Sequence, residues 1–184
     1  MKVFFDTEFT GLHKNTSLIS IGLISEDGKK FYAEMTDYDR TQIDEWIEEN
    51  VINNLWIKLG RFDWDYPDFY HYDNKEIIAD RLKNYFCQFD TVELVSDVCH
   101  YDMILLIDLF GAAFDLPSNV SPVCHDINQD IAKYHKISNA DAFDVSRESI
   151  LENNKINIKG LKHNALYDAE VIKAIYEIVN KEEA

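Results

Sequence analysis

The sequence has few of the residues that interrupt or cross-link a chain. Its 184 residues include only six glycines, three prolines and three cysteines, Cys87, Cys99 and Cys124. Three cysteines are too few, and odd in number, for a disulfide framework, which favours a reducing compartment. Repeats, low-complexity tracts and linkers rich in Pro, Gly or Ser are also lacking. Residues 1–184 are therefore predicted to form a single domain.

Long hydrophobic runs are missing as well. No stretch approaches the roughly 20 apolar residues that a membrane-spanning helix requires. The opening MKVFFDTEF carries a charge at Asp6 and no small-residue cleavage site. We expect a cytoplasmic protein without a membrane partner. Apolar residues nevertheless make up 46% of the chain and aromatic residues 13%, which is enough to bury a sizeable core.

Positive charge is scarce, since 18 Lys and Arg face 34 Asp and Glu, a formal net charge of -16. Taken alone, this balance argues against a nucleic-acid partner, because phosphate backbones attract basic surfaces. The excess is uneven: residues 37–108 hold 17 acids and 6 bases, whereas residues 131–163 hold 4 acids and 6 bases. Lys155, Lys159 and Lys162 in the second stretch suit contact with the phosphates of a single strand, and equally suit a solvated surface.

The hydrophobic pattern predicts an α/β fold. Residues 2–5, 17–25 and 30–35 have the character of strands, and the turn at Gly28 predicts an antiparallel meander. The period then changes to about 3.6, and strands alternate with helices. A mixed sheet flanked by helices is therefore expected. The later predicted elements are helices starting behind a Thr41 cap, after Asn74, and over 102–114, 127–134 and 166–179, with strands at 91–95 and 122–124.

Two acids occupy one face of the first strand. Because strand side chains alternate, Phe4, Asp6 and Glu8 point to one face and Thr7 points to the other. Like charges on one face repel each other, and an apolar strand that is central to its sheet has no structural use for them. A bound cation would relieve that repulsion.

Two helices repeat this anomaly. Asp168 lies four residues before Ile172 in the apolar stripe of the last helix, and Asp102 lies four residues before Leu106 in an earlier one. A helix dipole alone can favour either aspartate, and Asp97, at the end of the preceding strand, competes with Asp102. Four carboxylates that converge at one end of a sheet would hold Mg²⁺ or Mn²⁺. Two such ions would stabilise the attacking and leaving oxygens of a phosphodiester displacement.

A histidine supplies a candidate proton acceptor. His163 precedes Asp168 by five residues, in a loop that follows Gly160 and leads to a helix that Asn164 can cap. A histidine with a pKa near about 6.5 can take a proton from an activated water at neutral pH. The sequence thus combines metal-binding carboxylates with one base.

These motifs resemble those of the DEDDh 3′-to-5′ exonucleases. The sequence DTEFTGL at 6–12, Asp102 opening a helix, and HNALYD at 163–168 occur in the order found in that family. The resemblance implies an RNase H-like fold with two Mg²⁺ or Mn²⁺ ions. The implied metal ligands are Asp6, Glu8, Asp102 and Asp168, and the implied general base is His163.

The same resemblance defines the expected substrate. The residues implied to contact the terminal nucleotide are Thr7, Phe9, Thr10 and Leu12. Water would attack the 3′-terminal phosphodiester of single-stranded RNA and release nucleoside 5′-monophosphates. The size and the context of Tyr101 and Asp102 are most similar to the small bacterial exoribonucleases of the AS type, with RNase T and oligoribonuclease as similar relatives. Relatives of this size are commonly homodimers, so a homodimer is expected.

Two alternatives stay open. Proofreading DNA exonucleases share the motifs, and the catalytic residues do not distinguish ribose from deoxyribose, so single-stranded DNA is a second candidate substrate. A non-catalytic RNase H-like binding module would be expected to lack at least one site residue, and all five are present. The aromatic and acidic segment 62–72 lacks Lys and Arg, which favours a packed lid or a subunit contact over base stacking.

Overall fold

The computed structural model describes residues 1–59 and 67–181. Its strands in these residues are β1 (Lys2–Phe9), β2 (Leu18–Ser25), β3 (Lys30–Met35), β4 (Tyr70–Asp73), β5 (Val92–Ser96) and β6 (Val120–Asp126). Its α-helices in the same residues are α1 (Glu45–Asn50), α2 (Lys75–Phe86), α3 (His100–Phe110), α4 (Ile127–His135), α5 (Asn139–Phe143), α6 (Arg147–Asn153) and α7 (Ala165–Val179). The strands form one mixed sheet in the order β4-β3-β2-β1-β5-β6. The predicted α/β architecture is therefore confirmed.

The strand β1 lies inside the sheet. It pairs antiparallel with β2 and parallel with β5, while β2 pairs antiparallel with β3. The early meander is thus confirmed, and Gly28 turns between β2 and β3 with a φ of +88°, which glycine adopts without strain. The strand β6 forms an edge of the sheet, where Pro122 is tolerated because it need not donate to a further strand.

Alternation along β1 sends its apolar side chains into two separate cores. Val3 and Phe5 pack on one face of the sheet with side chains of α2 and α3, including Leu82 and Leu106. Phe4 packs on the other face with side chains of α4, α6 and α7. The sheet is therefore covered on both faces, and any polar side chain on β1 must point into a protein layer or into a cleft between elements.

The first turn of α7 lies unusually close to β2. A Cβ atom on Gly22 would lie 2.2 Å from the backbone nitrogen of Leu166, so only glycine permits this approach. Gly22 is the register partner of Asp6 on β1. The close contact consequently places the start of α7 beside the acidic end of β1.

Two predicted helix boundaries are wrong. The helix expected behind Thr41 begins instead at Glu45, and Asp44 caps it by accepting a backbone hydrogen bond at 2.8 Å. The helix expected over 102–114 ends at Phe110, because Gly111 takes a φ of +99° that leaves the helical region. The predicted caps at Asn74 and Asn164 are confirmed for α2 and α7.

The aromatic segment 62–72 falls partly outside the described residues, which resume at residue 67. In its described part, Phe69 and Tyr70 pack against Tyr32 and Trp56, beside the start of α7. This half of the segment therefore packs on its own chain. No helix in residues 1–59 and 67–181 has both the length and the apolar character needed to cross a membrane.

Candidate active site

The C-terminal half of β1 carries the first two predicted acids on one face. Asp6 and Glu8 follow Phe4, whose side chain belongs to the core formed with α7. Thr7 points the opposite way and donates its hydroxyl to Asp102 on α3 at 2.6 Å. The pleat of one strand thus reaches two helices on opposite faces of the sheet.

A cleft of about 1040 Å³ opens at this end of the sheet. Its lining brings together all five predicted metal-binding and catalytic residues, which are Asp6, Glu8, Asp102, His163 and Asp168. Exposed and half-buried apolar side chains complete the wall, including Phe9, Leu12, Trp46, Tyr101 and Phe143. The cleft therefore combines an acidic floor with apolar walls.

Glu8, His163 and Asp168 form the tightest part of this cleft. One potential ligand atom from each of these three residues lies within 4.8 Å of the other two. Ligand atoms bonded to one divalent cation at roughly 2.0–2.6 Å lie up to about twice that distance apart. The two carboxylates can therefore share one ion, with the imidazole of His163 beside it.

Burial and mutual repulsion raise the pKa values of these acids. Burial, then the charges of Asp102 and Asp168, hold the pKa of Asp6 well above its usual range. Burial, followed by the charge of Asp168, does the same to the pKa of Glu8. Burial raises the pKa of Asp168 to about 7, although the backbone N–H of His163 donates to this carboxylate at 2.8 Å. A cation bound among them would offset both effects.

Asp102 is held more firmly than the other three acids. It is 5% exposed, and its Oδ1 accepts hydrogen bonds from the backbone N–H and the hydroxyl of Thr7, at 3.1 and 2.6 Å. Its Oδ2 accepts a hydrogen bond from the hydroxyl of Ser96 at 2.7 Å. Burial raises the pKa of Asp102 to about 6, and the bonds from Thr7 and Ser96 oppose that rise. The structure thus fixes the orientation of this carboxylate through β1 and β5.

Both cations in the described lining of the cleft are already paired. Arg147 makes a bidentate pair with Asp97, with N–O distances of 2.7 Å, and Lys162 pairs with Glu148 at 3.0 Å. Asp97, the competitor for Asp102, is thereby engaged by a guanidinium group. No salt bridge of the described residues reaches the four predicted metal ligands, so no lysine or arginine among these residues compensates the acids directly.

His163 occupies the predicted loop before α7. Its φ of +61° lies in the left-handed region, which is uncommon for a residue other than glycine. Its ring packs edge-on against Trp46, with centroids 5.2 Å apart. Burial and the neighbouring charge of Lys162 lower the pKa of His163, against the opposing influence of Glu148. The imidazole is therefore neutral, and able to accept a proton, at neutral pH.

The residues implied to contact substrate occupy different positions. Phe9 stacks on Tyr101 at a centroid distance of 5.2 Å, and Leu12, 79% exposed, projects from the cleft rim. Thr7 lines the cleft, but its hydroxyl is bonded to Asp102. The structure does not bring the side chain of Thr10 into the described lining, because this hydroxyl is buried against Gln42 and accepts from the Ser17 N–H. The backbone N–H of Thr10 is likewise occupied, since it donates to Ser17 O at 3.0 Å.

Several residues of the cleft were not predicted from the sequence. Trp46, Arg147 and Tyr101 reach the cleft from three different helices, and their contacts join residues 50 to 117 positions apart. Of the three basic residues expected near phosphates, Lys162 lines the cleft, whereas Lys155 and Lys159 are absent from its described lining. No local pattern distinguishes these positions from an ordinary helix or loop surface.

Comparison with known proteins supports the same fold and activity class. The 3′-5′ exoribonuclease Rv2179c of Mycobacterium tuberculosis (strain ATCC 25618 / H37Rv) is 28% identical over 136 residues, covering 70% of this chain and 73% of that protein. The nuclease domain of 3′hExo, a DEDDh family member bound to rAMP, aligns with a TM-score of 0.63 at 13% identity over 98% of this chain and 92% of that one. Pop2p of S. pombe, in a form with Mg²⁺ and Mn²⁺ bound, aligns with a TM-score of 0.60 at 16% identity over 99% and 83%.

The two solved structures are too distant in sequence to show more than a shared fold, which confirms the predicted RNase H-like architecture. The family model matches nearly the whole chain, residues 1–179. Together with the site geometry, this match establishes that the chain belongs to the family of 3′-5′ exoribonuclease Rv2179c-like domains.

Proposed function

We propose that this protein is a metal-dependent 3′-5′ exoribonuclease, which hydrolyses the terminal phosphodiester of single-stranded RNA and releases nucleoside 5′-monophosphates. The observation that carries the proposal is the convergence of Glu8, His163 and Asp168 at the acidic end of β1. These groups form no salt bridge with Lys or Arg in the described residues, so their charge is available to a bound cation. The family description names the same reaction.

The donor set fits hard divalent cations. Asp6, Glu8 and Asp168 offer carboxylate oxygens, the ligand type that Mg²⁺ and Mn²⁺ prefer, and their raised pKa values favour occupancy by a positive charge. We infer two ions per site, with Asp102 completing the ligand set. Such ions would polarise the scissile phosphate and the attacking water. Pop2p, a structural neighbour, carries Mg²⁺ and Mn²⁺ in its solved form.

The chain's own residues divide the remaining work. Neutral His163, which lines the cleft, accepts the proton of the attacking water. The hydrogen bond from His163 N–H to the Asp168 carboxylate fixes the position of the base relative to this metal-binding acid. Thr7 and Ser96 hold the Asp102 carboxylate in one orientation, which preserves the geometry of the site between turnovers.

The walls of the cleft suit a terminal nucleotide. Phe9 and Tyr101 form a stacked pair, and Leu12 and Trp46 leave 79% and 55% of their surfaces exposed. Flat and aliphatic surfaces of this kind take up bases without strong sequence preference. We infer RNA over DNA from the family description, and from the rAMP bound by the neighbouring 3′hExo domain. A cytoplasmic homodimer, with the activity carried by one domain of residues 1–184, completes the proposal.

A single labelled substrate tests this function. A 5′-labelled single-stranded RNA incubated with Mg²⁺ or Mn²⁺ should shorten stepwise from its 3′ end, and EDTA should stop the reaction. The variants Glu8→Gln and His163→Ala should be inactive or nearly so. Asp108→Asn is the matched control, because this acid lies on α3, is exposed, and pairs with Lys75 away from the cleft.

The same assay separates the alternatives. DNA of identical sequence should be cut more slowly than RNA, and a 3′-phosphate should block cleavage of both. Equal rates on both substrates would favour a general exonuclease, and a binding module would leave every substrate intact. Cleavage that persists in Glu8→Gln would remove the proposed site from consideration.

A further inference from the structure

A buried hydrogen-bonded chain begins at Glu34 on β3, away from the metal-binding acids. Glu34 is 1% exposed, and its carboxylate accepts hydrogen bonds from three successive backbone N–H groups of residues 56–58, at 2.7 to 2.8 Å. It also accepts a hydrogen bond from the hydroxyl of Tyr32 at 2.9 Å. The bonds fix both the loop at 56–58 and the orientation of that hydroxyl.

The chain continues from Tyr32 to the start of α7. The Tyr32 hydroxyl accepts a hydrogen bond from Nδ2 of Asn164 at 3.0 Å, and both residues are fully buried. Asn164 Nδ2 donates a second bond to the backbone carbonyl of Asn54 at 3.1 Å, while its Oδ1 caps α7 by accepting from Tyr167 N–H. Both side-chain polar atoms of Asn164 are therefore hydrogen-bonded, and these bonds fix Asn164 directly after His163.

The residue that precedes His163 is held from the same side. Asn54 donates Nδ2 to the backbone carbonyl of Lys162 at 2.8 Å, in addition to its bond with Asn164. His163 thus lies between two positions that are both bonded to Asn54. Its left-handed φ of +61° is a conformation that costs free energy unless surrounding contacts enforce it.

We propose that Tyr32, Asn54 and Asn164 are positioning residues for His163: they clamp the backbone on both sides of the base and hold it in its left-handed conformation. Glu34 anchors this clamp to β3. The inference rests on the proposed role of His163 as general base. It adds residues that touch neither metal ions nor substrate, and it assigns a catalytic purpose to a polar network in the protein interior.

Rate should respond to this clamp because proton transfer depends steeply on geometry. A displacement of about 1 Å at a reacting group can reduce the rate by about 10²-fold. No bond of the clamp reaches Glu8 or Asp102, and its links to a metal ligand are the bonds that join the backbones of His163 and Asn164 to Asp168. Because these bonds do not use the substituted side chains, the variants should affect the base more than metal affinity. KM should also change little.

The test compares two variants with matched controls. Tyr32→Phe removes the bridging hydroxyl, and Tyr85→Phe removes another buried hydroxyl, which donates to Lys29 O on the opposite face of the sheet. Asn54→Ala removes the bond to Lys162 O together with a bond to Asn50 O four residues earlier. Asn180→Ala removes only a bond of the second kind, to Tyr176 O at the far end of α7. We expect kcat to fall about 10-fold in each test variant, with KM, Mn²⁺ affinity and the controls within about twofold of wild type.

A double-mutant cycle and hydrogen exchange make the result specific. In a His163→Ala background, Tyr32→Phe should have no further effect on kcat, because the base through which it acts is absent. The amide of His163 should exchange at least about 10-fold faster in Tyr32→Phe than in Tyr85→Phe. Unchanged kcat and exchange in both test variants, with His163→Ala inactive, would overturn the clamp.

The remaining outcomes separate the clamp from the proposed function. An additional loss of kcat when Tyr32→Phe is combined with His163→Ala would also overturn the clamp, since the effect would then not pass through the base. Full activity of His163→Ala would instead refute the role of the base. In that case faster exchange at His163 would still establish the clamp on the backbone, and unchanged exchange would refute it.

Discussion

Two regions of the sheet bury carboxylates in opposite ways. Glu34 on β3 accepts hydrogen bonds from three backbone N–H groups and one hydroxyl, so its lone pairs are occupied by the protein itself. Asp6, on β1 two strands away, lies instead among Glu8, Asp102 and Asp168, whose charges repel it. Both arrangements remove an acid from bulk water, but only the first compensates its charge within the chain.

The difference distinguishes an acid that serves the fold from one that serves a ligand. A buried carboxylate with all its acceptors satisfied stabilises the elements around it, and its removal leaves donors without partners. A buried cluster of unsatisfied acids destabilises the folded protein until a cation binds. Substitution should therefore change stability in opposite directions at Glu34 and at Asp6.

The largest effect is expected for Asp6→Asn, measured as cleavage of 5′-labelled RNA. Activity should fall by at least about 10³-fold, since a group that acts as part of a catalytic unit is lost. The metal-free protein should nevertheless become more stable, with a higher thermal midpoint and a free energy of unfolding larger by about 1 kcal/mol. The reason is that the substitution removes one acid from a cluster of acids that repel each other. A lower midpoint without metal would contradict the account of an uncompensated cluster.

The converse effect is expected for Glu34→Ala, measured by urea unfolding. Removing the acceptor shared by three backbone N–H groups and the buried Tyr32 hydroxyl should lower the free energy of unfolding by about 3 kcal/mol. Glu93→Ala provides the control, because this acid is exposed and forms a surface pair with Lys2 at 3.5 Å, so its loss should cost less than about 1 kcal/mol. Equal stability of the two variants would show that the buried network is unimportant for the fold.

A smaller effect concerns pH in the absence of metal. A carboxyl whose pKa is raised on folding stabilises the fold below its unfolded pKa, near 3.8 for Asp168, and this contribution is lost as pH rises through the folded value of about 7. As the pH is raised from about 4 to about 7, the thermal midpoint of the metal-free wild type should therefore fall by about 5 °C more than the midpoint of Asp168→Asn. At saturating Mg²⁺, the thermal midpoints of the wild type and Asp168→Asn should depend on pH in the same way. Parallel curves without metal would argue against a raised pKa at Asp168.

The smallest effect tests the acid that combines both arrangements, Asp102. Thr7→Val removes a hydroxyl donor but leaves the backbone bond, so activity should fall about 10-fold and stability by about 1 kcal/mol. Thr7→Ser keeps the hydroxyl and should retain most of the activity. The comparison is made at saturating Mn²⁺, and an equal loss in Thr7→Ser, which keeps the hydroxyl, would show that the hydrogen bond to Asp102 does not account for the effect.

The core of the fold could be predicted because its signals are local. The first three strands alternate or run apolar over several residues, and α2, α4 and α7 each present a sustained stripe with a recognisable cap. The elements that were not predicted are short. The helices α5 and α6 have five and seven residues, too few for a periodic stripe, and β4 is a four-residue edge strand whose pairing with β3 depends on a long-range contact.

In the candidate site too, residues with a local signal could be predicted and residues that depend on long-range contacts could not. Asp6, Glu8, Asp102 and Asp168 stood out because each interrupts an apolar face, which is a local feature of the sequence. The groups that hold the site together belong to no such pattern: Tyr32 bonds a residue 132 positions away. A tyrosine in a buried strand is ordinary until the fold reveals what its hydroxyl meets. The chemistry was therefore visible in the sequence, while the support for that chemistry required the structure.

Arg147 and Lys162, the cations in the described lining of the cleft, are both already bound to carboxylates. A nucleoside 5′-monophosphate released there carries about -1.5 to -2 charges on its phosphate at neutral pH, more than the single charge of the diester from which it came. Two bound divalent cations would offset the four metal-binding acids and attract this added charge, whereas Arg147 and Lys162 are already paired. Retention of the product should thus depend on the bound metal ions rather than on the lysine and arginine side chains of the cleft.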